Sequence, residues 1–270
     1  MKKGTTEANR SSDKLLNLLE VLSEQSSPLR LQDIARLCDM NPSTALRFLT
    51  ALQKRNYVAQ ETATSRYYVT LKLCALAQSI TGHSNIRSVA LPFMREISAA
   101  MGESCNLAME SDLMIMYMEA TNSPGNTLVT TQRIGNVAPM HCTGVGKLFL
   151  SEFTEDEMKR FYDSRKLTPY TQTTITSRGE LEKELFDVRK QGYAFDNEEC
   201  EQGVRCIALP IRDYTGKLCA ALSVSGPAVR MTDEKIYKHL DYLLKTAEKL
   251  SVYMGFGGRE VENGKLKMEN

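Results

Sequence analysis

Apolar residues recur at helical spacing over the first fifty residues. In "SDKLLNLLEVLSE" (12–24), Leu15, Leu18, Leu19 and Leu22 fall on one helical face, with Ser11 or Ser12 placed to cap its start. "SSPLR" breaks the pattern. A shorter helix follows in "LQDIARLCD", turning Leu31, Ile34, Ala35 and Cys38 inward. "DMN" interrupts it, leaving Asn41 to cap a third helix with Pro42 at its first position. That helix, "PSTALRFLTALQKR", buries Ala45, Phe48, Leu49 and Leu52 and shows Ser43, Thr44, Arg47, Thr50 and Lys54 on its other face. "NYVAQETATSRYYVT" reads as two short strands around a turn, with Arg66 at the tip.

Residues 71–101 return to helical spacing, broken at "TGHSN". In the first of the two helices Leu73, Leu76, Ala77 and Ile80 form an apolar stripe with little of their own domain to cover it, so a second subunit is the expected partner. Pro92 should start or kink the second helix. His83, in the break, reads as solvated.

After residue 102 the spacing changes to alternation. "SCNLAME" and "LMIMYMEA" read as adjacent strands turning at "SD", and "NTLVTTQRI" as a third. Helices are expected at about 145–151, 154–163 and 178–191. The strands "YAFDNEE", "VRCIALPIRD" and "KLCAALSVSG" follow, with Gly216 in the turn between the last two. A final helix, 232–253, carries Ile236, Leu240, Leu243, Leu244, Ala247 and Leu250. The chain is therefore α+β: an N-terminal winged helix-turn-helix, a helical linker, and a C-terminal domain of antiparallel sheet and helices.

Composition adds bounds. A length of 270 residues suits two domains, and 42% hydrophobic with 25% charged residues is ordinary for a globular protein. No run of about 18 apolar residues spans a membrane, and "MKKGTTEANRSSDK" lacks the apolar stretch of a signal peptide. Seven cysteines without a C-x-x-C pair fit neither a disulfide framework nor a zinc ribbon, so a reducing cytoplasm is expected. The net charge of +1 divides unevenly. Residues 1–80 hold eleven Lys/Arg and seven Asp/Glu, a balance of +4 against −3 over the rest, as suits a DNA-binding head on a separate module.

The third helix fits the major groove: Ser43 and Thr44 can reach phosphate or base edges, Arg47 can fork onto guanine, and Lys54 and Arg66 add backbone contacts. Here the chain resembles the IclR family of bacterial transcription regulators, in "LQDIARLCDMNPSTALRFLTALQKRNYV" followed by "SRYYVTLKL". The family usually has glycine where this sequence has Asp39 and Asn56, the residue types that best tolerate a left-handed backbone. Arg30 stands where the family often caps the second helix with Ser or Thr. "GYAFDNEECEQGVRCIALPIRD" is similar to the family's effector-domain signature, whose fold is GAF-like, with Arg212 replacing an aromatic or His. The expected division is a DNA-binding domain at 11–73 (helix-turn-helix about 31–55), a linker helix at 74–87, an effector domain at 88–257 and a tail at 258–270. The resemblance implies a non-enzymatic repressor-type regulator that binds double-stranded operator DNA as a homodimer or homotetramer, needs no cofactor and responds to a small metabolite.

The stretch "PMHCTGVGKL" (139–148) raises four readings. A phosphate loop needs G-x-x-x-x-G-K-[ST], but Gly144 and Gly146 are too close and Leu148 replaces the hydroxyl. A nucleophile with its base needs facing side chains, whereas His141 and Cys142, adjacent on a strand, would point apart. A zinc site could gather His141, Cys142, Cys200 and Cys206. The favoured reading is a pocket corner, where glycines let backbone approach a ligand and the helix start favours an anion. Ser223 and Ser225 share one strand face, as do Val204 and Cys206 on the neighbouring strand. The resemblance places the family's effector pocket on Gly144 and Val145, with Asp196, Cys206, Ser223 and Ser225. An ionised Asp196 would repel a bare carboxylate, which favours a hydroxy or sugar acid. The rival readings are a cysteine-dependent enzyme, a zinc-dependent sensor, and a DNA-bridging protein without a ligand.

Overall fold

The computed structural model describes residues 10–81, 86–122 and 134–257. The chain divides into two compact units, 1–84 and 85–270. The first contains helices α1 (Arg10–Ser23), α2 (Leu31–Leu37) and α3 (Pro42–Lys54), strands β1 (Val58–Gln60) and β2 (Tyr67–Val69), and helix α4 (Lys72–Thr81). Leu18, Leu22, Ile34, Ala35, Cys38, Ala45, Phe48, Leu49 and Leu52 close its core with Val58 and Tyr67. Leu29 bridges to Tyr67, adding a third segment to the β1–β2 hairpin. This is a winged helix.

Its turns follow the expected backbone chemistry. Asp39 and Asn56 adopt φ of 47° and 58°, the left-handed region that their short polar side chains tolerate better than most. The caps differ from expectation. Ser11 and Ser12 lie inside α1 and cannot cap it. Asn41 occupies the N-cap of α3 with Pro42 behind it, but its side chain makes no cap hydrogen bond. Arg30, at the N-cap of α2, makes none either. Lys72 ties the start of α4 to the end of α3, donating to the Arg55 carbonyl at 2.5 Å over the Tyr57 ring. Leu71 and Leu76 are exposed. The side chains of Ala77 and Ile80, together with His83, lie outside the described residues.

The second unit contains α5 (Ile86–Met101), β3 (Ser104–Ser111), β4 (Met114–Thr121), β5 (Val137–Ala138), α6 (Gly144–Glu152), α7 (Glu155–Ser164) and α8 (Arg178–Gln191). β6 (Ala194–Asn197), β7 (Val204–Arg212), β8 (Leu218–Pro227) and α9 (Asp233–Tyr253) complete it. Six strands make one antiparallel sheet in the order β5-β4-β3-β8-β7-β6. The strand expected from "NTLVTTQRI" falls almost wholly outside the described residues. Pro92 neither starts α5 nor ends it, because the helix runs through it.

Alternation gives the sheet two different faces. Cys105, Leu107, Ile207, Leu209, Ile211, Leu222 and Val224 pack against α5 and α9 in one apolar core. The opposite face carries Ala108, Ala194, Ala208 and Ala221, and meets α6, α7 and α8 in the other. Small side chains on that face leave room for the helices to approach and for polar neighbours between them.

Helix α6 comes closest. A Cβ on Gly146 would lie 2.2 Å from both Cα and O of Met140, and one on Gly144 would lie 3.1 Å from the Ala194 carbonyl oxygen. The glycines of "TGVGK" thus allow backbone to pack on backbone. Gly146→Ala is expected to cost about 3 kcal/mol or more, because the colliding atoms are main chain and cannot rotate away. Gly179→Ala, in the first turn of α8 with nothing within 4 Å, should instead raise stability by about 0.5–1 kcal/mol. Urea unfolding of the two variants against the parent measures both.

Candidate nucleic-acid interface and effector pocket

On α3, Ser43, Arg47, Thr50 and Lys54 are exposed, as the spacing predicted. With Leu46 and Ala51 they line one shallow open depression. Thr44 is half-buried and faces a neighbouring depression with Lys14, Arg36, Asp39, Met40 and Asn41. Arg47 extends over the Phe48 ring, 5.4 Å from its centroid, which steadies the guanidinium without occupying its donors. Thr50 spends its hydroxyl on the Leu46 carbonyl at 2.8 Å. Exposed Leu46 on this face was not singled out from the sequence; an apolar side chain there suits a thymine methyl.

Arg66 is not at the wing tip. The turn is "ETATS" (61–65), and Arg66 stands where β2 begins, half-buried, with Nη1 3.5 Å from the Pro28 carbonyl oxygen. The tip carries Glu61, which accepts a hydrogen bond from Thr64. Its chemistry is therefore hydroxyl and backbone rather than cationic.

In the second unit the sheet register aligns the remaining residues. Asp196 pairs with Cys206, Cys206 with Ser225, and Ser225 with Ser104; one row further on, Ala194, Ala208, Ser223 and Asn106 follow. Cross-strand partners share a face, so Asp196, Cys206, Ser223 and Ser225 do come together. All four are buried. Ser223 and Ser225 hydroxyls lie 3.2 Å apart, and Asn106 Nδ2 donates to Ser225 Oγ at 3.3 Å while its Oδ1 has no partner. Val204 shares the face but sits half-buried at the start of β7, opposite Pro227. Gly144 and Val145 begin α6, whose N-cap Thr143 accepts from the Gly146 N–H.

Asn106 and Tyr117 join this group and were missed, while Cys142 and Cys200, named above as zinc candidates, lie beside it. For Asn106 the signal was available: Ser104, Asn106 and Ala108 alternate with Cys105, Leu107 and Met109 along β3. Tyr117 of β4 is buried beside Asp196 and the thiols of Cys206, Cys200 and Cys142, and burial with those neighbours drives its phenol upward.

Asp196 Oδ1 accepts from the N–H groups of Glu199 (2.8 Å) and Cys200 (3.3 Å), so its expected backbone partners are present. Burial nonetheless outweighs them and raises its carboxyl to about 7. That corrects the repulsion argument: near neutrality a large share of Asp196 is protonated and can donate to a carboxylate. Lys147 is fully buried, and its Nζ donates to Glu184 and Glu199, each at 2.7 Å. The lysine of "TGVGK" is thus neutralised from within and binds no phosphate.

His141 and Cys142 lie in a turn, not on a strand. His141 Nε2 is 3.0 Å from the Thr168 carbonyl oxygen, and burial pulls its imidazole below the ordinary value. Burial and the neighbouring Cys200, Asp196 and Glu199 push the Cys142 thiol up. Among the described residues no three of His, Cys, Asp or Glu are grouped to hold a metal ion. The nucleophile and zinc readings lose their geometry.

A winged helix with a polar recognition face, joined in one chain to a domain with a buried polar cluster, defines a DNA-binding transcription regulator. The comparisons agree. Residues 11–62 match the IclR helix-turn-helix domain and residues 78–252 the bacterial transcriptional regulator IclR C-terminal domain. The chain belongs to the IclR family, whose members are transcription regulators and not enzymes. It is 35% identical over 244 residues to the HTH-type transcriptional regulator KdgR of Escherichia coli, covering 90% of this chain and 92% of that one. It is 29% identical over 245 residues to the transcriptional repressor IclR of the same organism, covering 89% and 88%. The crystal structure of Thermotoga maritima IclR matches with a TM-score of 0.61 and 29% identity over 92% of this chain and 99% of that one.

The pH dependence of stability follows from Asp196. Its folded value of about 7 exceeds the ordinary 3.8, so the folded state holds a proton that the unfolded state releases. Stability from this group is complete below about pH 4 and is lost as pH rises toward 7. Asp196→Asn should therefore melt above the parent at pH 8, by several degrees, with the gap shrinking toward pH 5. Thermal melts across that range measure it.

Proposed function

We propose that the protein is a repressor-type regulator that binds operator DNA through Ser43, Thr44, Arg47 and Lys54, and whose DNA affinity is set by a small organic or sugar acid. The observation that carries the DNA contact is the exposed Arg47 on the polar face of α3. The boundaries 11–73, 74–87, 88–257 and 258–270 serve as head, linker, effector domain and tail. The exposed Leu71 and Leu76 at the start of α4 support an assembly of two or four subunits, and two heads require two half-sites. Seven cysteines, all free thiols, favour a reducing cytoplasm, and no described helix is long and apolar enough to cross a membrane.

Arg66 is withdrawn from the direct DNA contacts because its guanidinium turns toward Pro28. The effector site is built on Gly144, Val145, Asp196, Cys206, Ser223 and Ser225, with Val204 at its margin. Asp196, protonated for much of the time at pH 7, suits a carboxylate ligand, and the serines suit its hydroxyls. The preference for hydroxy acids over plain acids rests on those serines and on the unpartnered Asn106 Oδ1. An effector works only by differential affinity for the DNA-competent and incompetent states.

Operator selection from a random library supplies the DNA for the test. Arg47→Ala should lose about 1–3 kcal/mol of specific binding by anisotropy titration while keeping the parent's melting curve. Unchanged affinity removes Arg47 from the interface. A single-half-site footprint together with a sedimentation monomer rejects the dimer.

The pocket is tested by a thermal-shift screen of small hydroxy, oxo and sugar acids. Ser223→Val should weaken the strongest hit by about 1–3 kcal/mol, since a buried ligand polar group loses its partner, and should leave ligand-free DNA affinity unchanged. An equal response in Ser223→Val and Ser225→Val places the ligand elsewhere.

A further inference from the structure

The exposed face of α3 is polar at its ends and apolar at its centre. Leu46 is 43% exposed there. It belongs neither to the core of the first unit nor to the half-buried side chains packed on that core, so folding makes no use of it. Thr50, one turn further on, turns its O–H back onto the Leu46 carbonyl at 2.8 Å, which leaves its methyl as the group to offer outward. Ala51 is exposed in the same shallow depression. Leu46, Thr50 and Ala51 thus make a small apolar centre, with Ser43 towards one end of the helix, Lys54 towards the other and Arg47 alongside.

A single exposed leucine needs no explanation. This one is distinguished by its place. Residues three and four apart are neighbours on a helix, so a helix that lays Ser43, Arg47 and Thr50 into a major groove carries Leu46 in with them. Once there, its choices are few. Phosphate oxygens and the amino and carbonyl groups of base edges gain nothing from a leucine side chain, and covering them with it removes their water without replacement. The apolar group that the major groove presents is the 5-methyl of thymine.

We propose that Leu46 is a specificity-determining residue, one that selects thymine by packing on its 5-methyl in a base pair neighbouring the one that Arg47 contacts. The inference rests on α3 being the recognition helix, and it deepens that reading from anchorage to base choice. Thr50 and Ala51 widen the apolar surface on which the methyl is sheltered from water. Burial of one methyl is worth about fourfold in affinity, so thymine is preferred at this position by degree, whereas a bidentate contact from Arg47 discriminates more steeply.

The test uses the full chain and the operator obtained by selection from a random library. Each thymine is replaced in turn by deoxyuridine, which removes the methyl and keeps the base pairing. Anisotropy titration should show about fourfold weaker binding at one thymine position of each half-site and little change elsewhere. Leu46→Ala should melt as the parent does, because the side chain is exposed, and should lose that uracil penalty, because the methyl has nothing left to pack on. Leu46→Gln, repeated through the selection, should move the base preference at that same position from thymine towards adenine. Arg47→Ala separates this inference from the reading beneath it. If Arg47→Ala weakens binding while no uracil substitution does, or while the penalty persists in Leu46→Ala, the methyl contact is overturned and the recognition helix stands. If neither Arg47→Ala nor any uracil substitution weakens binding, both fall. A selected operator without thymine, or a Leu46→Ala chain that changes its sedimentation and keeps the uracil penalty, would also overturn the proposal, the latter by making Leu46 a subunit contact.

Discussion

The close approach of α6 to the sheet is the contact on which the second unit depends. At Gly146 helix backbone meets Met140 backbone, with no space for a side chain, and at Gly144 it lies tightly against β6. This proximity carries Lys147 into the protein interior. An ammonium without water must be paired, and the pair it finds, Glu184 and Glu199, links α6 to α8 and to the β6–β7 loop. Glu199 in turn donates its N–H to Asp196. That chain of contacts sets the position of the buried carboxylate and of the Cys200 N–H bonded to it.

The two faces of the sheet perform different work. The face toward α5 and α9 is continuous apolar surface. The face toward α6–α8 gives up apolar area for alanines, serines and an asparagine. A polar cluster needs this asymmetry, because large aliphatic residues on both faces would leave neither room nor partners for Asp196. Glu103 shows the alternative treatment of a buried carboxylate. It lies against Gly226, and although burial would raise it, hydrogen bonds from Arg230 and Lys235 outweigh that and hold its carboxyl low. Asp196 has only backbone donors and remains protonatable near neutrality. Charge pairing thus makes Glu103 a structural clamp and leaves Asp196 responsive to what approaches it.

In the first unit the recognition helix is rigid because its opposite face is full. Ala45, Phe48, Leu49 and Leu52 are buried against α1, α2 and the hairpin, so the exposed residues of α3 are presented from a fixed element. The wing contributes differently from the usual cationic tip: with Arg66 turned back toward Pro28, the positive charge on the described head lies mainly with Arg47, Lys54 and their neighbours on the helices.

The sequence by itself determined the elements, because each is a local periodicity. The apolar stripe of α3, the span of α8 and the alternation of β7 and β8 all follow from which side of a helix or strand each residue must take. It also determined the left-handed turns at Asp39 and Asn56, whose backbone requirement is carried by a single residue type. Ser223 and Ser225 could be placed on one face, since alternation along a strand is local too. Only the tertiary structure decided that Asp196, Cys206 and Ser225 lie in one cross-strand row and that Lys147 is buried in an ion triad. Those contacts join residues up to 52 apart, and no local spacing encodes them. Nor does residue type alone reveal what a glycine approaches: of the two in "TGVGK", Gly144 meets the main chain of β6 and Gly146 that of Met140.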